Sequence, residues 1–198
     1  MKQHISYAVL VAAIAAGLSV QVQGTASEAP TVEAQDNFFS FLHGRGRGDR
    51  VFANLQSENE VPAVSSVAQG RFSAEIDDDN VEWELRFDGL QAPITQAHIH
   101  FAQPNVNGGI MVWLCGTGAP GTLLAGPAGT QTCPQNGTIS GTITSAEVVG
   151  PGGAQQLGAG EFAEFVAVLR NELAYANVHT STSGGGEIRG QIKRWSHR

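Results

Sequence analysis

Three histidines carry the first chemical signal in this chain. His98 and His100 flank Ile99, and His179 lies far downstream in Asn177-Val178-His179-Thr180. Side chains alternate along a strand, so His98 and His100 project to one side while Ala97, Ile99 and Phe101 point to the other. In the later segment Tyr175, Asn177 and His179 share a face opposite Ala174, Ala176 and Val178. Two imidazoles so spaced can converge on one ion, and a third from a neighbouring strand completes a three-coordinate imidazole site for copper or zinc. The same pattern fits histidines that hydrogen-bond backbone and close a barrel end. Spacing alone does not say whether the two strands adjoin. His4, His43 and His197 lie towards the chain ends and take no part in this pattern.

Other chemistries find fewer residues. A serine nucleophile needs a strained turn of the Gly-x-Ser-x-Gly type, which the chain lacks. Glu58, Glu60 and Glu187 are the carboxylates a glycosidase would draw on, but sequence gives no separation between them. Asp77-Asp78-Asp79 lacks the spaced oxygens of a calcium loop and reads as a turn. Arg189 follows the last histidine, and a guanidinium beside an open metal position would guide a small anion to it; its plainer reading is a surface ion pair with Glu187 or another carboxylate. No catalytic residue is assigned.

The elements that must hold these residues are strands. The chain has 198 residues, of which 25 are Gly, with 41% hydrophobic and 7% aromatic side chains, a balance that suits a loop-rich β protein better than a helical bundle. Alternation starts at Val51. Phe72, Ala74 and Ile76 share one face of segment 70–76. Val81, Trp83, Leu85 and Phe87 share one face of 81–87, and Asp77–Asn80 between them predicts a tight hairpin. Further strands are expected at 97–101, 110–114, 137–143, 174–180 and 187–193. Between 161 and 171 the period changes: Phe162, Phe165, Val166 and Leu169 recur at three- and four-residue intervals, as on one face of a short helix.

The chain ends read differently. Residues 1–26 combine Lys2, an uncharged apolar run from Ile5 to Val20 and small residues near Gly24 and Ala26, the pattern of a secretory signal peptide. The run is short for a membrane span, and no later segment is long enough for one, so no membrane span is expected once the signal is cleaved. Residues 27–50 form a Gly- and Arg-rich flexible linker containing Arg47-Gly48-Asp49, a tripeptide some adhesion receptors read, here taken as solvated linker. The domain spans 51–193, followed by a tail at 194–198. Export places Cys115 and Cys133, the only cysteines, in an oxidising compartment, secreted or periplasmic, where such a pair forms a disulfide. Residues 50–193 hold 6 basic side chains against 14 acidic ones, which excludes a broad nucleic-acid-binding face.

These segments together resemble a known family. Phe52-Ala-Asn-Leu-Gln-Ser-Glu58-Asn59-Glu60-Val61-Pro62, Gly70-Arg-Phe, Gly89-Leu90, Ala97-His98-Ile99-His100, Tyr175-Ala-Asn177-Val178-His179-Thr180 and Gly186-Glu187-Ile188-Arg189-Gly190-Gln191 look like the CHRD domain, named for chordin and found singly in exported microbial proteins. The resemblance implies an extracellular β-sandwich or barrel module without established catalytic activity. A second resemblance is narrower: the order His98-x-His100, Val178-His179, Arg189 is similar to the copper half of the Cu/Zn superoxide dismutases, although the other ligands of that two-metal site have no counterparts here.

The fold expected is therefore all-β, an antiparallel sandwich or Greek-key barrel of immunoglobulin-like or superoxide-dismutase-like type, with one short helix near 161–171. The function expected is a non-enzymatic extracytoplasmic module that binds a protein or small ligand. The alternative is a copper or zinc protein using His98, His100 and His179, redox-active in the manner of a superoxide dismutase, with Arg189 guiding the anion.

Overall fold

The computed structural model describes residues 49–135 and 137–195. The signal peptide expected over 1–26, the linker up to residue 48 and the last three residues lie outside the described residues.

Period-2 alternation becomes strands almost wherever the sequence shows it. The strands are β1 (Asp49–Gln56), β2 (Gln69–Ile76), β3 (Val81–Asp88), β4 (Ile94–Phe101), β5 (Ile110–Gly116), β6 (Gly137–Ile143), β7 (Ala174–Thr180), β8 (Ile188–Gln191) and β9 (Lys193–Arg194). The expected hairpin forms, with Ile76 opposite Val81 and the amide of Asp77 bonded to the carbonyl of Asn80. The helical period becomes α1 (Phe162–Arg170), whose Phe165, Val166, Val168 and Leu169 are buried while Phe162 packs at the core margin. The last expected strand is split: Ile192 turns its side chain fully inward between β8 and β9. Asp49, the last residue of the Arg-Gly-Asp tripeptide, opens β1, and its carboxylate is held by Arg170 at 2.8 Å and Arg194 at 3.3 Å.

Strand order is β5-β4-β7-β8-β1-β2-β3-β6, with β9 beside β1 and every pairing antiparallel. Chain links from β3 to β4 and from β6 to β7 join strands that are not neighbours, which makes the architecture a Greek-key barrel. The barrel is nearly closed. Its two edges, β5 and β6, are joined by short bridges from connecting segments, Val112 with Val148 and Gly116 with Thr132, instead of a full ladder. Leu55, Phe72, Leu85, Ile99, Leu114 and Leu169, each almost wholly removed from water, belong to the single core inside. At about 25 cal/mol per Å² of apolar surface, each such side chain contributes roughly 1.5–3 kcal/mol.

The disulfide Cys115–Cys133 forms as the sequence predicts, and it sits at this incomplete seam. Cys115 is on β5, and Cys133 follows Thr132 on the segment leading to β6. At a sequence separation of 18, the link removes denatured-state freedom worth about 3 kcal/mol. The Cys115→Ala, Cys133→Ala double variant should unfold at a clearly lower urea concentration, with about that loss of stability. A midpoint unchanged from the parent would show that the seam is held without the link.

Candidate metal centre

The site is assembled by β7, which runs between β4 and β8. On one side it pairs Tyr175 with His100, Asn177 with His98 and His179 with Gln96; on the other it pairs Asn177 with Arg189. Paired residues share a face of the sheet. His98, His100, Tyr175, Asn177, His179 and Arg189 therefore stand together on the outer face, back to back with Ala97, Ile99, Ala176, Val178 and Ile188 in the core. Both faces of β7 are nonetheless buried, because segments following β1, β4 and β7 fold over the polar side.

The pairing of β4 with β5 is irregular beside each histidine. Register shifts fall between Ala97 and His98 and between Ile99 and His100. Bulges re-aim side chains: here Met111 with Val112, and Leu114 with Cys115, are buried as consecutive residues, while Trp113 is left opposite His98. The Trp113 ring meets the His98 ring edge-on at 4.3 Å between centroids.

Two of the three imidazoles are anchored by loop carbonyls. His100 donates Nδ1–H to the Gly108 carbonyl at 2.9 Å, and His179 donates Nδ1–H to the Gly184 carbonyl at 3.0 Å. Gly108 suits this close approach, because a Cβ there would run into the Phe101 carbonyl. A ring that donates from Nδ1 keeps its lone pair on Nε2 when neutral. His179 Nε2 faces His98 Nδ1 at 3.1 Å, and one ligand atom from each of the three rings lies within 4.8 Å of the others. The rings are 1%, 7% and 8% exposed for His98, His100 and His179, which decides their charge state. Burial holds His98 down to about 2 and His100 to about 4, with repulsion from His179 adding to both, and burial also lowers His179. All three are neutral at physiological pH.

The donor set fits a metal ion on one further observation. Buried polar atoms nearly always find a partner. Among the described residues, those that do not are His98 Nε2, His100 Nε2, Asn177 Oδ1, Gln191 Oε1 and Glu60 Oε1. Four of these five lie on the polar face of β4, β7 and β8. The fifth, Glu60, follows the turn after β1, and its carboxylate fills the space a Cβ on Gly186 would need, at a φ of 121° that itself favours glycine.

The family model of the CHRD domain matches residues 51–192. The chain belongs to the CHRD family. It is thus an extracytoplasmic module by kinship, a setting that the disulfide fits. No curated protein and no solved structure matches it. Among the described residues, no helix is long and apolar enough to cross a membrane.

The CHRD domain brings His98, His100 and His179 together, which spacing alone left open, and places Arg189 elsewhere than on the surface. Arg189 is 2% exposed. Its guanidinium lies 3.4 Å from the centre of the Tyr175 ring, which stacks parallel on His100 at 4.6 Å. Nη1 donates to Asn107 Oδ1 and Nη2 to the Val106 carbonyl. The surface ion pair with Glu187 is absent because Glu187 is committed elsewhere: it accepts from Ser66 Oγ, the Gln91 amide and Thr180 Oγ1. Sequence reasoning missed Trp113 and Glu60 as neighbours of this region. Burial pushes the Glu60 carboxyl up to about 7, against the lowering pull of Arg189.

These shifts fix how metal-free protein responds to acid. The histidines stay neutral in the fold but take up protons once unfolded below their ordinary value near 6.5, so stability falls as pH drops below that point. Glu60 acts oppositely, since the fold binds its proton from about 7 downward and the unfolded chain only from about 4.5. Three groups outweigh one. Denaturant midpoints of metal-free protein should fall between pH 6.5 and 4, and more steeply in Glu60→Gln. A Glu60→Gln profile parallel to the parent would overturn this assignment of Glu60.

Proposed function

We propose that this CHRD domain is a metal-binding module holding one copper or zinc ion on His98, His100 and His179. The observation that carries the reading is that three buried, neutral imidazoles converge while two of their ring nitrogens have no protein partner. The carbonyl bonds from Gly108 and Gly184 are the outer contacts that fix ring tautomer and orientation around a bound ion. Neutral rings need shed no proton to ligate. The all-imidazole set suits copper and zinc better than hard cations, which prefer oxygen.

Two metal–nitrogen bonds of 2.0–2.1 Å span at most about 4.2 Å. One ligand atom from each ring lies within 4.8 Å of the others, so the rings need draw in only slightly. Bound copper would supply one-electron chemistry; zinc would supply a redox-silent cross-link. The reading stops at binding. The residues around the triad exclude water and hold the rings, and Arg189 stands behind the Tyr175 ring with its guanidinium engaged by Asn107 and Val106.

Full-length protein purified without a histidine tag and stripped with chelator should take up one copper or zinc ion by titration and elemental analysis. His100→Ala should lose more than about 100-fold in affinity, beyond the loss of an outer-contact partner. Copper should quench the fluorescence of Trp113, an effect missing in Trp113→Phe. Metal at 100 times its dissociation constant should add about 2.7 kcal/mol of stability. Parent protein that takes up neither metal would overturn the proposal.

A further inference from the structure

A second concave region lies along the same outer face, on β1, β8 and β9, and it is distinct in chemistry from the triad. Its cleft of about 330 Å³ has a floor made by two strands. Gln56 is paired with Arg189 at one end and Phe52 with Lys193 at the other, while Asn54 and Gln191 fall between them. Asn59, after β1, and Asn105, between β4 and β5, form walls. No carboxylate lines it.

The distribution of charge makes this unusual for so acidic a protein. Residues 49–195 carry seven Lys and Arg against fifteen Asp and Glu. Arg50, Arg86, Arg170 and Arg194 are each within ion-pair distance of a carboxylate. Among the described residues, the cations outside such pairs are Arg71, Arg189 and Lys193. The last two line the cleft, and Arg71 stands 5.8 Å from the ring of Phe52, which lines it too. The cations outside ion-pair distance of a carboxylate are thus gathered at one concavity, where they attract a small anion.

The remaining lining says what kind of anion. Side-chain amides both donate and accept, so Asn54, Gln56, Asn59 and Asn105 match hydroxyl groups, which do the same. A simple oxyanion needs donors only and would leave the amide oxygens without a role. Phe52, held edge-on by Trp195 at 5.3 Å, offers an apolar ring to the carbon face of a pyranose. We propose that this cleft binds an acidic sugar, a uronate unit whose carboxylate is met by Lys193 in the field of the buried Arg189 and whose hydroxyls are met by the amides. The site does not depend on metal in the triad.

The test is calorimetric titration of chelator-treated full-length protein with trigalacturonate. Galactotriose, which has no carboxylate, and inorganic phosphate are the comparators. Saturable one-site binding of the uronate is expected, with the neutral sugar at least about tenfold weaker, the loss typical of one charge-assisted contact. Lys193→Ala and Asn54→Ala, both at exposed positions, should each weaken uronate binding several-fold without moving the unfolding midpoint. No saturable uronate binding, equal binding of the neutral sugar, or displacement of the uronate by equimolar phosphate would each overturn the proposal. Metal uptake by the same preparation is scored separately.

Discussion

The antiparallel register of β4 against β7 is the constraint on which the rest of the molecule turns. It aligns His98 with Asn177 and His100 with Tyr175 and leaves His179 one diagonal step away. A slip of one residue would send the imidazoles into the core and Ala176 and Val178 outward. The core prevents that slip, because Ala97, Ile99, Ala176 and Val178 are all buried inside the barrel. Hydrophobic packing on one side of two strands therefore sets the geometry of the nitrogen ligands on the other. Such precision would be harder to hold on loops, and here the loops supply only Gly108 and Gly184 carbonyls to rings already placed by strands.

Burying that polar face is costly. An unpaired polar group out of water costs roughly 1–3 kcal/mol, and the β4–β7–β8 face leaves four such atoms. The rest of the domain offsets this with a continuous core, an edge disulfide and fully satisfied structural acids. Glu187 shows the contrast with Glu60. Both are buried carboxylates, 1% and 5% exposed, but Glu187 accepts three hydrogen bonds and ties the segments before β2 and before β4 to the end of β7, while Glu60 keeps an oxygen without a partner. Glu187 has the contacts of a structural group. Glu60 is held in place by packing against Gly186 and by the field of Arg189.

Much of the barrel was legible because period-2 alternation is a local property: β2, β3, β6 and β7 match the segments read from sequence to within a residue, and α1 announces itself by its change of period. The triad was legible only as two halves. Parity puts His98 and His100 on one face, but that β4 neighbours β7 is a consequence of a Greek-key crossover, which no window of sequence contains. The environment of Arg189 was not legible for a related reason. Its sequence neighbour Glu187 invites an ion pair, yet Glu187 precedes β8 and Arg189 lies on it, and each finds nearer partners in segments from separate places in the chain. Trp113 meets His98 only because β5 carries two bulges, and bulges leave no mark in the sequence strong enough to shift a parity argument.

Arg189 joins the two regions of the polar face, and its chemistry explains why it is an arginine. A lysine ammonium is a compact, heavily hydrated charge that could neither lie flat on the Tyr175 ring nor span Asn107 and Val106 at once. The guanidinium does both, at 3.4 Å from the ring centre and with two directed hydrogen bonds. Tyr175 then carries positive charge on one face and His100 on the other, so the field of Arg189 reaches the imidazole across an aromatic layer and disfavours its protonation. The same residue lines the amide-rich cleft on its other side. One buried cation thus adds to the burial that keeps a ligand ring neutral and also lines the neighbouring cleft, while Asp49, Glu75 and Glu84 are paired with Arg50, Arg86, Arg170 and Arg194.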